Sequence, residues 1–121
     1  MKRGLVIEDN EDNMMLITRL LKKAGYEYLW AQNGCRGLEM VVEQLPDFIL
    51  LDIQLPDIDG TEVLRRLRLT EIGKDIPVIV VTSYAMAGDR EHFLAAGANA
   101  YLEKPIDPLR VIGQIRAVVG E

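Results

Sequence analysis

Five side chains capable of chemistry stand at the ends of short apolar runs. Glu8 and Asp9 follow Leu5-Val6-Ile7, and Asp52 ends Phe48-Ile49-Leu50-Leu51. Thr82 follows Val78-Ile79-Val80-Val81, and Lys104 comes shortly after Ala100-Tyr101-Leu102. Three carboxylates brought close together repel one another unless protons or a cation compensate them. Hard oxygen donors at an open crevice suit Mg²⁺, which typically takes one or two carboxylates, a carbonyl and several waters. With one histidine and one cysteine in the chain, soft-metal sites lack ligands. An ammonium and a divalent cation around one aspartate are what transfer of a phosphoryl group onto that carboxylate requires. The positive charges neutralise the equatorial oxygens while the carboxylate attacks in line. A neighbouring threonine hydroxyl would then donate to a phosphoryl oxygen.

The five must meet for any of this to hold, and the apolar patterning predicts that they do. Phe48 to Leu51, set off by Leu45-Pro46-Asp47, reads as a strand buried on both faces, the habit of a central strand in a parallel sheet. Gly4 to Ile7 form the first strand. Met14, Ile17, Leu20, Leu21 and Ala24 then recur at helical spacing up to a stop at Gly25. Tyr26 to Ala31 are rich in β-formers and suit an edge strand. Asn33-Gly34 reads as a turn, and Leu38, Val41, Val42 and Leu45 as the apolar face of a helix that Pro46 ends. Gly60 opens a third helix with Val63, Leu64 and Leu67 inward and Arg65, Arg66 and Arg68 largely in solvent. Val78 to Val81 are the fourth strand. Asp89 is the expected N-cap of a short, alanine-rich helix over Arg90 to Ala96, closed by Gly97. With Phe93 and Leu94 as its main anchors, this helix should be the least firmly packed. Asn99 to Leu102 give the fifth strand, and Pro108 the first turn of a helix carrying Leu109, Ile112, Ile115 and Val119.

Five strands alternating with five helices mean a parallel sheet with right-handed crossovers and helices on both faces. Strand carboxyl ends lie on one edge of such a sheet, where ligands bind. Neither GxGxxG after the first strand nor GxxxxGK[ST] anywhere is present, so no dinucleotide or P-loop site is expected. At 121 residues, 49% apolar and 27% charged, the chain suits one domain over 1–121. A net charge of -5 gives no reason to expect nucleic-acid binding. No apolar run approaches a membrane span and no signal peptide opens the chain, which leads to the expectation of a soluble, cytoplasmic protein. Cys35, having no partner for an internal disulfide, reads as a small packing residue.

With these motifs in place, the whole chain resembles the receiver domain of bacterial response regulators. The resemblance rests on Glu8-Asp9-Asn10, on Leu51-Asp52-Ile53-Gln54-Leu55-Pro56 with Asp59-Gly60, on Val81-Thr82-Ser83 and on Tyr101-Leu102-Glu103-Lys104-Pro105. The Asp52 to Pro56 wording and Ala85-Met86-Ala87-Gly88-Asp89 look most like single-domain DivK-like regulators and the receivers of hybrid histidine kinases. The resemblance implies a flavodoxin-like, three-layered, doubly wound fold with strand order 2-1-3-4-5. It implies a phosphorelay function in which Asp52 accepts a phosphoryl group from a phosphohistidine. Glu8 and Asp9, with Asp52 and the Gln54 carbonyl, would hold Mg²⁺; Lys104 would pair with the phosphoryl group. Thr82 and Tyr101 would form a switch acting on the surface of the fourth helix, fifth strand and fifth helix. The implied partners are a histidine kinase or histidine phosphotransfer protein and a downstream protein target, with the receiver a monomer or weak dimer. Gln54 and Tyr84, each two residues after a motif residue, lie where they could screen the acyl phosphate from water. His92, remote from every motif, reads as solvated.

Two other readings compete. A haloacid-dehalogenase-type phosphohydrolase also uses a strand-end Asp, a Thr, a Lys and Mg²⁺, but it normally needs a second acid where this chain has Gln54. A pseudo-receiver would bind partners without phosphorylation, against which the intact set Glu8, Asp9, Asp52, Thr82 and Lys104 argues. By the receiver reading the chain is a switch that catalyses only its own phosphorylation and dephosphorylation.

Overall fold

The computed structural model describes residues 2–83 and 86–120. Five strands, β1 (Arg3–Ile7), β2 (Glu27–Ala31), β3 (Phe48–Asp52), β4 (Val78–Thr82) and β5 (Ala100–Glu103), alternate with five helices. The helices are α1 (Glu11–Lys23), α2 (Gly34–Gln44), α3 (Gly60–Arg68), α4 (Asp89–Ala95) and α5 (Pro108–Val119). All strand pairs are parallel, in the order β2-β1-β3-β4-β5. The fold is flavodoxin-like, with β2 at an edge as its weak apolar pattern predicts.

Period-two alternation divides the strand side chains between two cores. Leu5, Ile7, Ile49, Leu51, Val78, Val80 and Tyr101 face α2, α3 and α4, where Met40, Val41, Val63, Leu64, Leu67 and Phe93 cover them. Val6, Phe48, Leu50, Ile79, Val81, Ala100 and Leu102 face α1 and α5, under Met14, Ile17, Leu21, Val111 and Ile115. β3 is buried along its whole length, Asp52 included. A strand between two such layers must be apolar throughout, so the carboxylate at its end is the exception that needs a reason.

Five details depart from the sequence reading. Asn33-Gly34 is no turn: Asn33 caps α2, its side chain accepting from the Arg36 amide at 2.8 Å. α2 faces the sheet with Gly34, Gly37, Met40 and Val41, while Val42 and Leu45 are 58% and 60% exposed. A glycine side lets the helix approach closely, since a Cβ on Gly37 would lie 2.5 Å from Ile7 Cδ1. Asp89 is the first residue of α4 rather than its cap; Gly88 holds the cap position and Asp89 accepts from the Met86 amide at 2.8 Å. In α5 the inward residues are Val111 and Ile115, and Leu109 is 86% exposed, because Asp107 caps the helix and sets its phase. Arg68 is not solvated. Its guanidinium donates to three backbone carbonyls and to Asn99. α4 is the shortest helix, and Phe93 is its one buried residue. Among the described residues no helix is long and apolar enough to cross a membrane.

Candidate functional site

Glu8 and Asp9 follow β1 directly, and Asp52 closes the adjacent β3, in register one step past the Ile7–Leu51 pair. Parallel pairing therefore sets the three acids side by side: ligand oxygens of Glu8, Asp9 and Asp52 lie within 4.8 Å of one another. Asp9 is exposed, whereas Glu8 and Asp52 are only 2% and 5% exposed. Lys104, just past β5, reaches across with its Nζ 2.8 Å from Glu8 Oε1 and 3.1 Å from Asp52 Oδ2. Two buried carboxylates share one ammonium.

The electrostatics follow from that count. Burial, then the hydrogen bond and charge of Asp52, push the Glu8 carboxyl up to about 7, against the pull of Lys104. Burial disfavours the charge on Lys104, but its hydrogen bond to Glu8 and the charge of Asp52 outweigh it and raise the ammonium above its ordinary value. A crevice with one uncompensated negative charge, hard oxygen donors and one exposed carboxylate fits a small divalent cation such as Mg²⁺.

The second oxygen of Asp52 is held differently: Oδ1 accepts from the Gln54 amide at 3.0 Å, while the Gln54 side chain is exposed. Thr82 is buried at the end of β4, one residue beyond the Val81 that pairs with Asp52, and its carbonyl accepts from the Lys104 amide at 2.8 Å. Tyr101 does not join the crevice. It lies inside, under α4, its ring stacked on Phe93 at 5.8 Å between centroids. Its hydroxyl has no hydrogen-bond partner among the described residues. Burial raises its pKa, and the charges of Asp89 and Glu103 add to that. Tyr84 lies outside the described residues. His92 is exposed, edge-on to Phe93 and apart from the crevice.

Three supporting contacts escaped the sequence reading. The Trp30 indole donates to the Glu8 carbonyl at 2.7 Å, and the Asn10 amide to Glu8 Oε2 at 3.3 Å. Asp57, in the loop after β3, binds the amino end of α2. An indole in an edge strand and an acid in a polar loop carry no periodic signal that separates them from surface residues. Gly60 is a fourth constraint, since its amide donates to the Ile53 carbonyl at 2.9 Å. A Cβ there would lie 2.6 Å from Ile53 Cα and 2.7 Å from the Asp52 carbonyl oxygen. Gly60→Ala is therefore expected to cost about 2 kcal/mol in urea unfolding, because backbone cannot yield as a flexible side chain can. A loss under about 0.5 kcal/mol would show that the loop yields.

A parallel sheet ordered 2-1-3-4-5, with an acidic crevice where β1 and β3 adjoin and a lysine just past β5, defines the receivers of two-component signalling. The chain belongs to the response regulator receiver domain family, whose pattern matches residues 5–116. It is 42% identical to the polar-differentiation response regulator DivK of Brucella anthropi over 120 residues, 99% of this chain and 98% of that protein. Among solved structures it is similar to the receiver domain of a sensor histidine kinase from Pseudomonas aeruginosa, which has a magnesium ion coordinated in its active-site cleft. That likeness is 33% identity and a TM-score of 0.90, over 99% of this chain and 98% of that one. A CheY-like receiver domain from Methanospirillum hungatei gives 30% identity and a TM-score of 0.90, over 99% and 94%. The family places the chain among signalling switches and sets aside the phosphohydrolase reading.

Proposed function

We propose that this receiver, a single domain over residues 1–121, takes a phosphoryl group from a phosphohistidine of a kinase or phosphotransfer protein onto Asp52. The observation that carries the reading is the Asp52 carboxylate, buried at a strand end with the Lys104 ammonium 3.1 Å from Oδ2. In the transfer an Asp52 oxygen forms a bond to phosphorus, the phosphorus–nitrogen bond breaks, and its electron pair stays on the imidazole. Lys104 is charged throughout the physiological range and needs no proton change to meet the incoming anion. Glu8, Asp9 and Asp52, with the Gln54 carbonyl, would hold Mg²⁺. When bound, that ion would offset charge on the phosphoryl oxygens. The Thr82 hydroxyl would donate to one of those oxygens.

The same reading makes Tyr101 the second part of a switch. Its buried hydroxyl, without a partner among the described residues, costs about 1–3 kcal/mol, which favours an outward alternative. Movement of Thr82 toward the phosphoryl group frees space beside β4 and shifts that balance inward. The result falls on α4, β5 and α5, the proposed docking surface for a downstream protein. A cytoplasmic location goes with these partners, and monomer or weak dimer with that surface.

Beryllofluoride on a carboxylate stands in for the acyl phosphate, so its titration with Mg²⁺ followed by NMR tests the reading. Saturable shifts at Asp52, Thr82 and Tyr101 that vanish in Asp52→Asn are expected; an inert wild type would leave a phosphorylation-independent pseudo-receiver. Mg²⁺ alone should stabilise the fold by about 1.8 kcal/mol at twenty times its dissociation constant. Asp9→Asn changes an exposed side chain and should remove most of that gain in thermal melts. A gain unchanged by the substitution would exclude Asp9 from the cation site.

A further inference from the structure

We propose that Asp57 is a positioning residue for Asp52: it pins the tip of the β3–α3 loop to the amino end of α2, and the pinned loop holds the Gln54 amide on the acceptor carboxylate. The inference rests on the reading of Asp52 as the acceptor.

Both oxygens of Asp57 are engaged away from its own loop. Oδ1 accepts from the Gly34 amide and Oδ2 from the Cys35 amide, each at 2.8 Å. These are amides that a helix start leaves without internal partners, at the positive end of its dipole. Desolvation works against the charge, yet the backbone bonds from Cys35 and Gly34 hold the carboxyl well below its usual range. Loop and helix also touch through apolar atoms, for a Cβ on Gly34 would lie 2.6 Å from Ile58 Cγ1. At its base the loop is closed by the Gly60 amide on the Ile53 carbonyl at 2.9 Å, and the Ile53 amide reaches the Val81 carbonyl at 3.2 Å. Residues 53–59 thus form a ring fixed at base and tip.

Gln54 sits inside that ring, and its amide is 3.0 Å from Asp52 Oδ1 while Oδ2 faces Lys104. The two acceptor oxygens are therefore held from opposite sides, one by the loop and one by the lysine. Releasing the Asp57 bonds leaves the tip held by the apolar Ile58 contact alone and Gln54 fixed mainly from the base. The Asp52 carboxylate then gains rotational freedom, and the Gln54 amide is no longer held against Oδ1.

A second side chain at the same helix end supplies the control. Asn33 accepts from the Arg36 amide at 2.8 Å and has no bond to the loop among the described residues. Asn33→Ala weakens the α2 cap alone, whereas Asp57→Ala weakens the cap and frees the loop. Calorimetric titration with Mg²⁺ alone, and the NMR resonance of the Gln54 amide, separate the two. Asp57→Ala is expected to weaken Mg²⁺ about tenfold and to shift the Gln54 resonance. Asn33→Ala should lower the melting temperature and do neither. Asp57→Asn keeps one acceptor oxygen, should fall between wild type and Asp57→Ala, and serves if the alanine variant does not fold. Equal Mg²⁺ weakening in Asn33→Ala, or none in the Asp57 variants, would overturn the inference while the acceptor reading stands. A wild type that binds no Mg²⁺ would overturn both.

Discussion

Asp52→Asn is expected to abolish phosphoryl acceptance and, in the same sample, to melt at a higher temperature than the wild type. The first effect is a loss of about a thousandfold or more in labelling, since an amide cannot form the bond to phosphorus. The second follows from charge. Glu8 and Asp52 are both buried and share the single Lys104 ammonium, so the group carries one surplus negative charge. Removing Asp52 leaves Lys104 paired with Glu8, and the repulsion that helps to raise Glu8 disappears. A gain on the order of 1 kcal/mol follows without Mg²⁺.

The sign with pH is fixed by Glu8. Its carboxyl is raised from an ordinary 4.5 to about 7 in the fold. A raised acid contributes stability that is complete below its unfolded value and lost as pH rises through the folded one. The wild type should therefore lose stability between about pH 4.5 and 7 on this account, and the advantage of Asp52→Asn should grow over the same window and then level off. Urea unfolding at several pH values, without Mg²⁺, measures both. An Asp52→Asn protein less stable than the wild type at pH 8 would mean that the carboxylate is not in repulsive surplus. Function would then carry no stability cost at this site.

How much of this was legible depended on whether a residue's role is periodic. Phe48 to Leu51 announced a doubly buried strand because four large apolar residues have no solvent face, and the structure buries all of them. The convergence of Glu8, Asp9, Asp52 and Lys104 followed from parallel pairing, which turns sequence position at strand ends into proximity. Helix phase was less secure. Val42, Leu45 and Leu109 are apolar yet exposed, because glycine contacts in α2 and the Asp107 cap in α5 decided which side faces the sheet. Contacts made by single side chains across the chain were invisible. Asp57 reaches a helix 22 and 23 residues away, Trp30 reaches Glu8 across 22, and neither is marked by composition or spacing. Arg68 was misread for the same reason, since an arginine on a polar helix face looks alike whether it meets water or carbonyls.

That misreading identifies a damaging truncation of a polar side chain outside the site. Arg68→Ala is expected to destabilise the protein by about 3 kcal/mol, because it strands partly buried carbonyls that a charged donor now satisfies. Nε and Nη2 both bond the Gly97 carbonyl, at 2.9 and 2.7 Å. Nη1 bonds those of Gly73 and Ile76, at 2.7 and 2.9 Å. Nη2 also reaches Asn99 Oδ1 at 3.0 Å, and the same oxygen accepts from the Val78 amide at 2.9 Å. One side chain thus ties the end of α3, the approach to β4 and the turn between α4 and β5. Its neighbours give the contrast: Arg65 and Arg66 are exposed and among the described residues bond Glu62 alone, so their alanine variants should change stability little. Arg68→Lys should recover only a small part of the loss, since one ammonium cannot span four acceptors in a fixed fork. Chemical denaturation of the three alanine variants checks the ranking, and faster amide exchange at Gly97 and Asn99 should accompany the Arg68 loss. Arg68→Ala within about 1 kcal/mol of wild type would mean that water satisfies these carbonyls as well as the guanidinium does.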